Sequence, residues 1–170
     1  MKVIPASKPI RSKGYIPSIY NSTIDMFNNE IYGDNRDLSE ELLQKLIIGL
    51  CTEHDNMARK LYDTGKREES TFVKVKQVFD VFFDVELDDS QFANKQMQAK
   101  KGSQQPFQFN DMSDGERTAF FYIATVIVAP KKSFIIVDEP ENHLNPAIYN
   151  KIWDKLENII NGINLFSRFL

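Results

Sequence analysis

Two adjacent carboxylates, Asp138 and Glu139, follow a run of four apolar residues at 134–137 and could do chemistry together. A short, fully apolar run between turn signals is typical of a strand buried on both faces of a parallel sheet. Ligands of open α/β sheets bind just outside the carboxyl ends of such strands. Asp138 would hold a magnesium ion, directly or through water, and Glu139 would orient or deprotonate an attacking water. The other interpretation is a strand that ends in a polar turn.

A second polar motif, MSDGER (residues 112–117), runs directly into one of the most apolar stretches of the chain. Ser113 and Glu116 have the S-x-x-E spacing of a capping box. A capped helix N-terminus is also an anion site, because it presents unpaired N–H groups and the positive end of the helix dipole. Gly115 would let the backbone come close to a ligand. The spacing leaves open whether the motif only begins a buried helix or also receives a phosphate.

Both motifs belong to a predicted helix–strand–helix unit. Residues 114–129 are predicted to form a helix that ends before Pro130, because proline cannot continue it. Asn145 is predicted to cap the last helix, and Pro146 to be its first residue. The apolar face of that helix is predicted at Ile148, Ile152, Trp153, Leu156, Ile159 and Ile160. Such a unit has the right-handed crossover of an α/β domain.

The first part of the chain is predicted to be irregular and then helical. Residues 1–36 are rich in Pro, Ser, Asn and Gly, which predicts irregular chain with one short strand or helix. Apolar side chains recur at helical spacing in residues 38–63. Residues 70–83 are ambiguous. Their Thr, Val and Phe content favours a strand, whereas the spacing of Phe72, Val75 and Phe82 favours a helix, which is the interpretation adopted.

The middle of the chain is predicted to hold two short strands around a loop. The strands are DVELDD (residues 84–89) and PFQFN (residues 106–110), the second because apolar and polar residues alternate. Residues 89–105 are polar and carry the basic, Gln-rich segment KQMQAKKGSQQ. Such a segment is usually a solvated loop, and contact with nucleic acid is the alternative.

Composition narrows the class of protein. The formal net charge of the 170 residues is −3, so no overall basic field indicates a nucleic-acid partner. Cys51 is the single cysteine, which excludes an internal disulfide and fits a reducing, cytoplasmic setting. The N-terminus lacks the apolar core of a signal peptide. The longest apolar run, residues 119–129, is far shorter than the roughly 20 residues of a membrane helix, so no membrane partner is expected.

Three motifs in order resemble those of ABC-type ATPases. MSDGER resembles the signature motif, commonly written LSGGQ, SFIIVDEP resembles the Walker B strand, and ENHLNP resembles the D-loop. The segment DEPENHLNP is especially similar to the corresponding segment of bacterial ATPases of the overcoming-lysogenisation-defect group and of AAA-like defence ATPases. These proteins are related to SMC and RecF heads. The resemblance covers about residues 107–156. It implies an α/β fold, a partial ABC-ATPase-like head with a helical segment, a parallel-sheet core, a signature helix and a Walker B strand.

In such ATPases two heads sandwich ATP, which gives the signature residues a role. The resemblance implies that Ser113 and Gly115 touch the γ-phosphate of a nucleotide held by the opposite protomer, with Asp114 and Glu116 in the same nucleotide-binding turn. Asp114 and Glu116 stand where the common pattern has glycine and glutamine. Their carboxylates should weaken phosphate attraction unless Arg117 offsets them or they face away.

The resemblance also implies the cofactors ATP and Mg²⁺. Asp138 would support the magnesium ion and Glu139 would be the catalytic base. Asn145 stands where the acidic residue of the D-loop often lies. His143, just before it, is expected in the D-loop or a surface loop rather than on a metal, because two histidines make no zinc cluster.

One expected motif is missing from the sequence. No G-x-x-x-x-G-K-[ST] occurs, and in the family that phosphate loop precedes the signature, so it would lie upstream of Met1. The switch histidine normally follows a further strand, and GINLFSRFL ends the chain at that place. We therefore expect an interior or C-terminal segment: a fragment, half of a split protein or a truncated reading frame. Hydrolysis by this chain alone is in doubt.

The sequence divides into residues 1–105, an irregular stretch and helical subdomain, and residues 106–170, which carry the motifs. The favoured function is ATP binding and hydrolysis as the signature and Walker B half of an ATPase, paired with a second head and with an effector protein in antiviral defence. A second interpretation is a non-catalytic regulatory or assembly module. A third is a DNA-associated protein of SMC type that uses Lys95, Lys100 and Lys101.

Overall fold

The protein is described by a computed structural model for residues 2–5, 23–31, 40–65, 68–130, 134–138, 144–159 and 164–168. Its helices are α1 (Ile24–Ile31), α2 (Glu40–Thr64), α3 (Thr71–Phe79), α4 (Asp114–Val128) and α5 (Pro146–Ile159). Its strands are β1 (Lys2–Pro5), β2 (Glu86–Asp88), β3 (Gln98–Lys100), β4 (Phe107–Gln108), β5 (Phe134–Asp138) and β6 (Asn164–Arg168). The mixture of helices and strands confirms the α/β class.

One sheet has the strand order β1-β5-β6, and both pairings are parallel. The apolar strand β5 therefore lies between two neighbours, and Ile135 at its centre is buried. Strands of parallel sheets are commonly covered on both faces, which suits a run of apolar residues such as this one. The register places Asp138 opposite Pro5 on one side and Arg168 on the other.

The second sheet is antiparallel, with the order β2-β3-β4. It corrects the prediction that residues 89–105 form a solvated loop, because this segment contains β3 and a 3-10 turn at Phe92–Asn94. Phe92, Met97 and Ala99 are buried. These apolar residues are separated by polar ones, so they show no periodicity. The predicted strand in residues 106–110 is shorter than expected, since a 3-10 turn begins at Phe109.

The predicted helices form with small changes at their ends. Helix α2 buries the apolar residues whose spacing predicted it: Leu42, Leu43, Leu46, Ile47, Leu50 and Cys51. Residues 70–83 are helical only as far as Phe79. The Ser70 hydroxyl caps α3 by accepting from the Val73 N–H, and Asp80 closes its C-terminus. Phe82 therefore lies in a turn after α3, and it packs half-buried against the core.

Helix α4 is the centre of the core. Eleven of its 15 residues are buried, which explains why its sequence has almost no polar face. It ends as predicted, because Ala129 before Pro130 takes an extended ψ of 137°. Its neighbours include α2, α3 and α5. No helix in the described part of the chain is long and apolar enough to cross a membrane.

Strand pairing joins distant parts of the sequence. Strand β1, from the stretch predicted to be irregular, pairs with β5, and β3 pairs with β4 across residues 105 and 106. The buried apolar residues of α1 to α5 form a single cluster that also includes Ile135. The division of the chain at residue 105 stays a prediction, which an unfolding experiment can test.

Candidate functional site

The N-terminus of α4 has the predicted capping box. The Ser113 N–H donates to the Glu116 carboxylate at 2.8 Å, and the Glu116 N–H donates to the Ser113 hydroxyl oxygen at 3.3 Å. The Ser113 hydroxyl also donates to the same carboxylate oxygen at 2.8 Å. Ser113 has an extended backbone (φ −62°, ψ 156°), which is usual for a residue that precedes a helix.

Arg117 occupies the inner side of this turn. Its side chain is only 4% exposed, and its guanidinium donates to the carbonyl oxygen of Asn110 at 2.8 Å. It also donates to the carbonyl oxygen of Met112 and forms an ion pair with Asp114. A buried charge is costly unless it is paired and hydrogen-bonded, and these contacts satisfy that requirement.

The two carboxylates of the MSDGER motif are therefore both engaged inside the turn. Asp114 pairs with Arg117, and Glu116 accepts hydrogen bonds from Ser113. These two residues replace the glycine and glutamine of the common signature pattern, and their negative charge was expected to weaken the attraction of the turn for a phosphate. The structure gives each carboxylate a local partner, so the negative charge of Asp114 is offset by the adjacent guanidinium.

Apolar contacts hold the turn against the helix that follows it. Phe109 and Met112 are buried. The Phe109 ring meets the Phe120 ring edge-on, with centroids 5.0 Å apart. The turn is thus attached to the core before and after Ser113, whereas Ser113 itself is exposed.

The outer side of the turn carries hydrogen-bond donors. The N–H groups of Asp114 and Gly115 are the first two of α4 and have no acceptor within the helix. Gly115 is half-buried, and its backbone is helical, without a positive φ. Its role in letting a ligand approach the backbone closely stays a prediction. Backbone donors and a helix dipole together suit an anion.

Asp138 is the last residue of β5, at the carboxyl end of a strand that is paired on both edges. This is where α/β sheets bind ligands. Glu139 and His143 lie outside the described residues. The magnesium role of Asp138 and the catalytic role of Glu139 stay predictions.

Asn145 caps α5 as predicted. Its side-chain oxygen accepts from the Ala147 N–H at 2.9 Å, and its carbonyl accepts from the N–H groups of Ile148 and Tyr149. Pro146 is the first residue of α5. Asn145 is exposed, so capping leaves its predicted nucleotide-binding role untested.

The structure brings the predicted residues Ser113, Asp114, Gly115 and Glu116 together in one turn. The hydrogen bonds described for Ser113, Asp114 and Glu116 all stay within residues 113–117, so they do not join this turn to Asp138 or Asn145. Sequence reasoning missed the burial of Arg117 and its bonds to the carbonyl oxygens of Asn110 and Met112. It did raise the possibility that Arg117 offsets the acidic residues, and the ion pair with Asp114 does so for that residue. The spacing of three residues between Arg117 and Asp114 was the available signal, since side chains at i and i+3 are neighbours on a helix.

The three lysines of the basic segment form ion pairs with carboxylates elsewhere in the chain. Lys95 contacts Asp55 at 3.1 Å, and Lys95 has a left-handed backbone with φ 56°. Lys100 contacts Glu86 at 3.4 Å, and Lys101 contacts Asp84 at 3.2 Å. Each lysine of the proposed nucleic-acid surface has a carboxylate beside it, which reduces the positive charge available to phosphates.

His54 connects three parts of the helical region. Its Nδ1 lies 2.7 Å from the Ser70 hydroxyl, and its Nε2 lies 3.5 Å from the Asp89 carboxylate. Its ring meets those of Phe72 and Phe92 edge-on at 5.5 and 5.4 Å. His54 is therefore a packed histidine whose ring nitrogens both have partners. Ser70 caps α3 and is buried, so its hydroxyl is not an accessible nucleophile.

An α/β domain with a capped, buried helix and a central apolar strand is the kind of fold found in nucleotide-binding ATPases. The family model described as "AAA domain, putative AbiEii toxin, Type IV TA system" matches residues 6–168. The chain belongs to this family. Among curated proteins, none matches the chain.

Proposed function

We propose that the chain supplies the signature and Walker B half of an ABC-type ATPase in which two heads sandwich ATP. The observation that carries this proposal is the turn before α4, where Ser113 is exposed beside N–H groups that have no acceptor within the helix, while both carboxylates are engaged internally. A turn that only began a buried helix would need the capping box but would have no need of a buried guanidinium behind it.

The residues present fit part of a site for ATP and Mg²⁺. Backbone donors at the N-terminus of α4 suit phosphate oxygens, and a carboxylate at the end of β5 suits magnesium. When bound, Mg–ATP supplies the γ-phosphate to be transferred and a metal charge that stabilises it. The sequence has no phosphate loop, so the α- and β-phosphates need another polypeptide segment.

Each residue then has a defined task. Ser113 and Gly115 contact the γ-phosphate of the nucleotide on the opposite head. Asp138 supports magnesium, and Glu139 removes a proton from the attacking water. Asn145 lies at the start of α5, at the D-loop position between the heads. The assembly is a homo- or hetero-oligomer of heads. An effector protein, a role in antiviral defence and a cytoplasmic location are further parts of the proposal.

Replacing Glu139 tests the catalytic assignment. In a mixture of this chain with a head from the same genome that contains a phosphate loop, Glu139→Gln should lower ATP hydrolysis by about 100-fold or more, because a general base contributes at least that factor. Association of the two heads in Mg–ATP should persist. Glu157→Gln, an exposed change on α5, is the matched control and should leave turnover intact. Turnover that survives Glu139→Gln would show that Glu139 is not the base.

A non-catalytic assembly module is the second candidate, and the missing phosphate loop favours it. Labelled ATP with magnesium separates the two functions. Binding that requires the phosphate-loop head, together with stimulated hydrolysis, supports the split ATPase. Stable association with that head in the absence of nucleotide, with its ATPase rate unchanged, supports the assembly module.

A further inference from the structure

We infer that Arg117 is the positioning residue of the signature turn, residues 112–115, an inference that rests on the proposed function of that turn. The side chain lies one helical turn inside α4 and is 4% exposed. Its described contacts are all with the turn: Asn110, Met112 and Asp114.

The contacts of Arg117 bracket Ser113 on both sides. One guanidinium nitrogen donates to the carbonyl oxygens of Asn110 and Met112, which precede Ser113. The other nitrogen binds Asp114, which follows Ser113. Arg117 therefore holds the backbone on both sides of Ser113 from within, in addition to the capping box that Glu116 forms with Ser113 itself.

This bracketing decides which backbone groups face outward. Carbonyl oxygens repel phosphate, and two of them are turned toward Arg117 and occupied there. The adjacent N–H groups of Asp114 and Gly115 are left as donors at the start of α4. Arg117 thus occupies two carbonyl acceptors of the turn, beside the two backbone donors that an anion would use.

Arg117 also offsets the charge of Asp114. An unpaired carboxylate in the first turn of the helix would compete with a phosphate for the same backbone donors. The ion pair holds that carboxylate on Arg117, although half of the Asp114 side chain stays exposed. The acidic residue in place of a signature glycine is compatible with phosphate binding because the basic residue three positions later neutralises it.

A lysine cannot replace this arrangement. The planar guanidinium presents N–H groups in a fixed fork from two terminal nitrogens, whereas an ammonium is a single point charge. Arg117→Lys keeps the charge and loses the simultaneous contact with two carbonyls and one carboxylate. Arg59→Lys, an exposed change on α2, is the matched control.

The first test uses amide hydrogen exchange in this chain alone. The N–H groups of Met112, Glu116 and Arg117 bond to Phe109 O, Ser113 Oγ and Ser113 O. Arg117→Lys should speed their exchange about tenfold, while amides in the buried half of α2 change less than twofold. Asp114→Asn, at an exposed position, should give a smaller increase of about threefold. Unchanged exchange in the turn, or an equal increase throughout the chain, would overturn the inference.

The second test uses Mg–ATP and the phosphate-loop head. Arg117→Lys should raise the half-saturating Mg–ATP concentration about tenfold, while the maximal rate changes less than twofold. A loss of maximal rate at unchanged half-saturation would overturn the positioning role. If the wild-type chain never responds to Mg–ATP, the proposed function fails, whereas the exchange experiment still decides how Arg117 acts on the turn.

Discussion

At the scale of single residues, the signature turn shows how two acidic side chains of one motif are each paired within that motif. Asp114 and Glu116 replace uncharged residues of the common pattern, yet each has an internal partner. The capping box of Ser113 and Glu116 was predictable because its spacing is local. The offset of Asp114 by Arg117 was also raised from the sequence. The bonds of Arg117 to the carbonyl oxygens of residues 110 and 112 were not, because they depend on the 3-10 turn at Phe109–Asp111.

Asp88 provides a pH prediction at the residue scale. Burial raises the pKa of this carboxyl, but hydrogen bonds from Ser90 and the charges of Lys100 and Lys76 outweigh burial and hold the pKa below its ordinary value of 3.8. The Ser90 N–H and hydroxyl both donate to the same Asp88 oxygen. Because the folded pKa is lowered, the stabilisation is present above the ordinary value and is lost as the pH falls through the folded value.

Ser90→Ala should therefore move the Asp88 pKa back up, because it removes one of the two donors. Carboxyl carbon NMR through an acid titration measures the change. The difference in unfolding free energy between wild type and Ser90→Ala should be present at pH 6 and shrink below about pH 4. Ser103→Ala, in an exposed turn, is the control. An Asp88 pKa that is the same in wild type and Ser90→Ala would show that the Ser90 hydroxyl does not lower it.

At the scale of elements, periodicity predicted α2 and α5 because their apolar faces are long enough to repeat. Helix α4 was predicted from its two ends, the capping box at Ser113 and the stop at Pro130. The end of α3 was misplaced because Phe82 continues the helical spacing after the chain has turned at Asp80. Strand β3 was missed for a different reason. Its pairing partners, β2 and β4, lie in other segments, and a three-residue strand has too few residues to show alternation.

Gly49 offers a prediction about how α1 packs on α2. A Cβ built at this position would lie 2.9 Å from the Ile24 nitrogen and 2.9 Å from the Thr23 carbonyl carbon. Both are backbone atoms, so the start of α1 would have to move. Alanine gains about 1 kcal/mol of helix propensity over glycine, but overpacking of this kind typically costs about 1–3 kcal/mol.

Gly49→Ala should therefore leave stability no higher, and lower it by up to about 2 kcal/mol, with exchange of α1 amides increased most. Urea unfolding measures the first quantity. Asn56→Ala, at an exposed site on the same helix, is the control, and it should be stabilising by a few tenths of a kcal/mol at most. A Gly49→Ala protein that gains the full helix propensity would mean that α1 does not approach α2 this closely.

At the scale of the whole molecule, the core joins parts of the sequence that composition separates. Composition predicts a division at residue 105, because the polar, basic segment precedes the region that contains the motifs. The buried cluster nevertheless runs from Phe27 to Leu156. Composition cannot reveal this, since burial against a distant element leaves no local signal when the intervening segments are polar.

Two residues that each occur once in the chain can report whether it unfolds as one unit or as two. Cys51, the single cysteine, lies on α2 and is fully buried, and Trp153, the single tryptophan, lies on α5. Burial raises the pKa of the Cys51 thiol, so the folded protein holds it in the unreactive protonated form. Its reaction with a thiol reagent then reports unfolding of the first part of the chain, as Trp153 fluorescence does for the second.

Because one cluster contains residues from all five helices, both reporters should give the same urea midpoint, as expected for cooperative unfolding of a single domain. Thiol labelling in short pulses and fluorescence are measured on the same samples. Ala58→Gly, an exposed change on α2, should lower both midpoints together. Two separate midpoints, with Ala58→Gly moving only that of Cys51, would instead establish the division at residue 105. In that case α4 and β5 would fold as a unit that does not depend on α2.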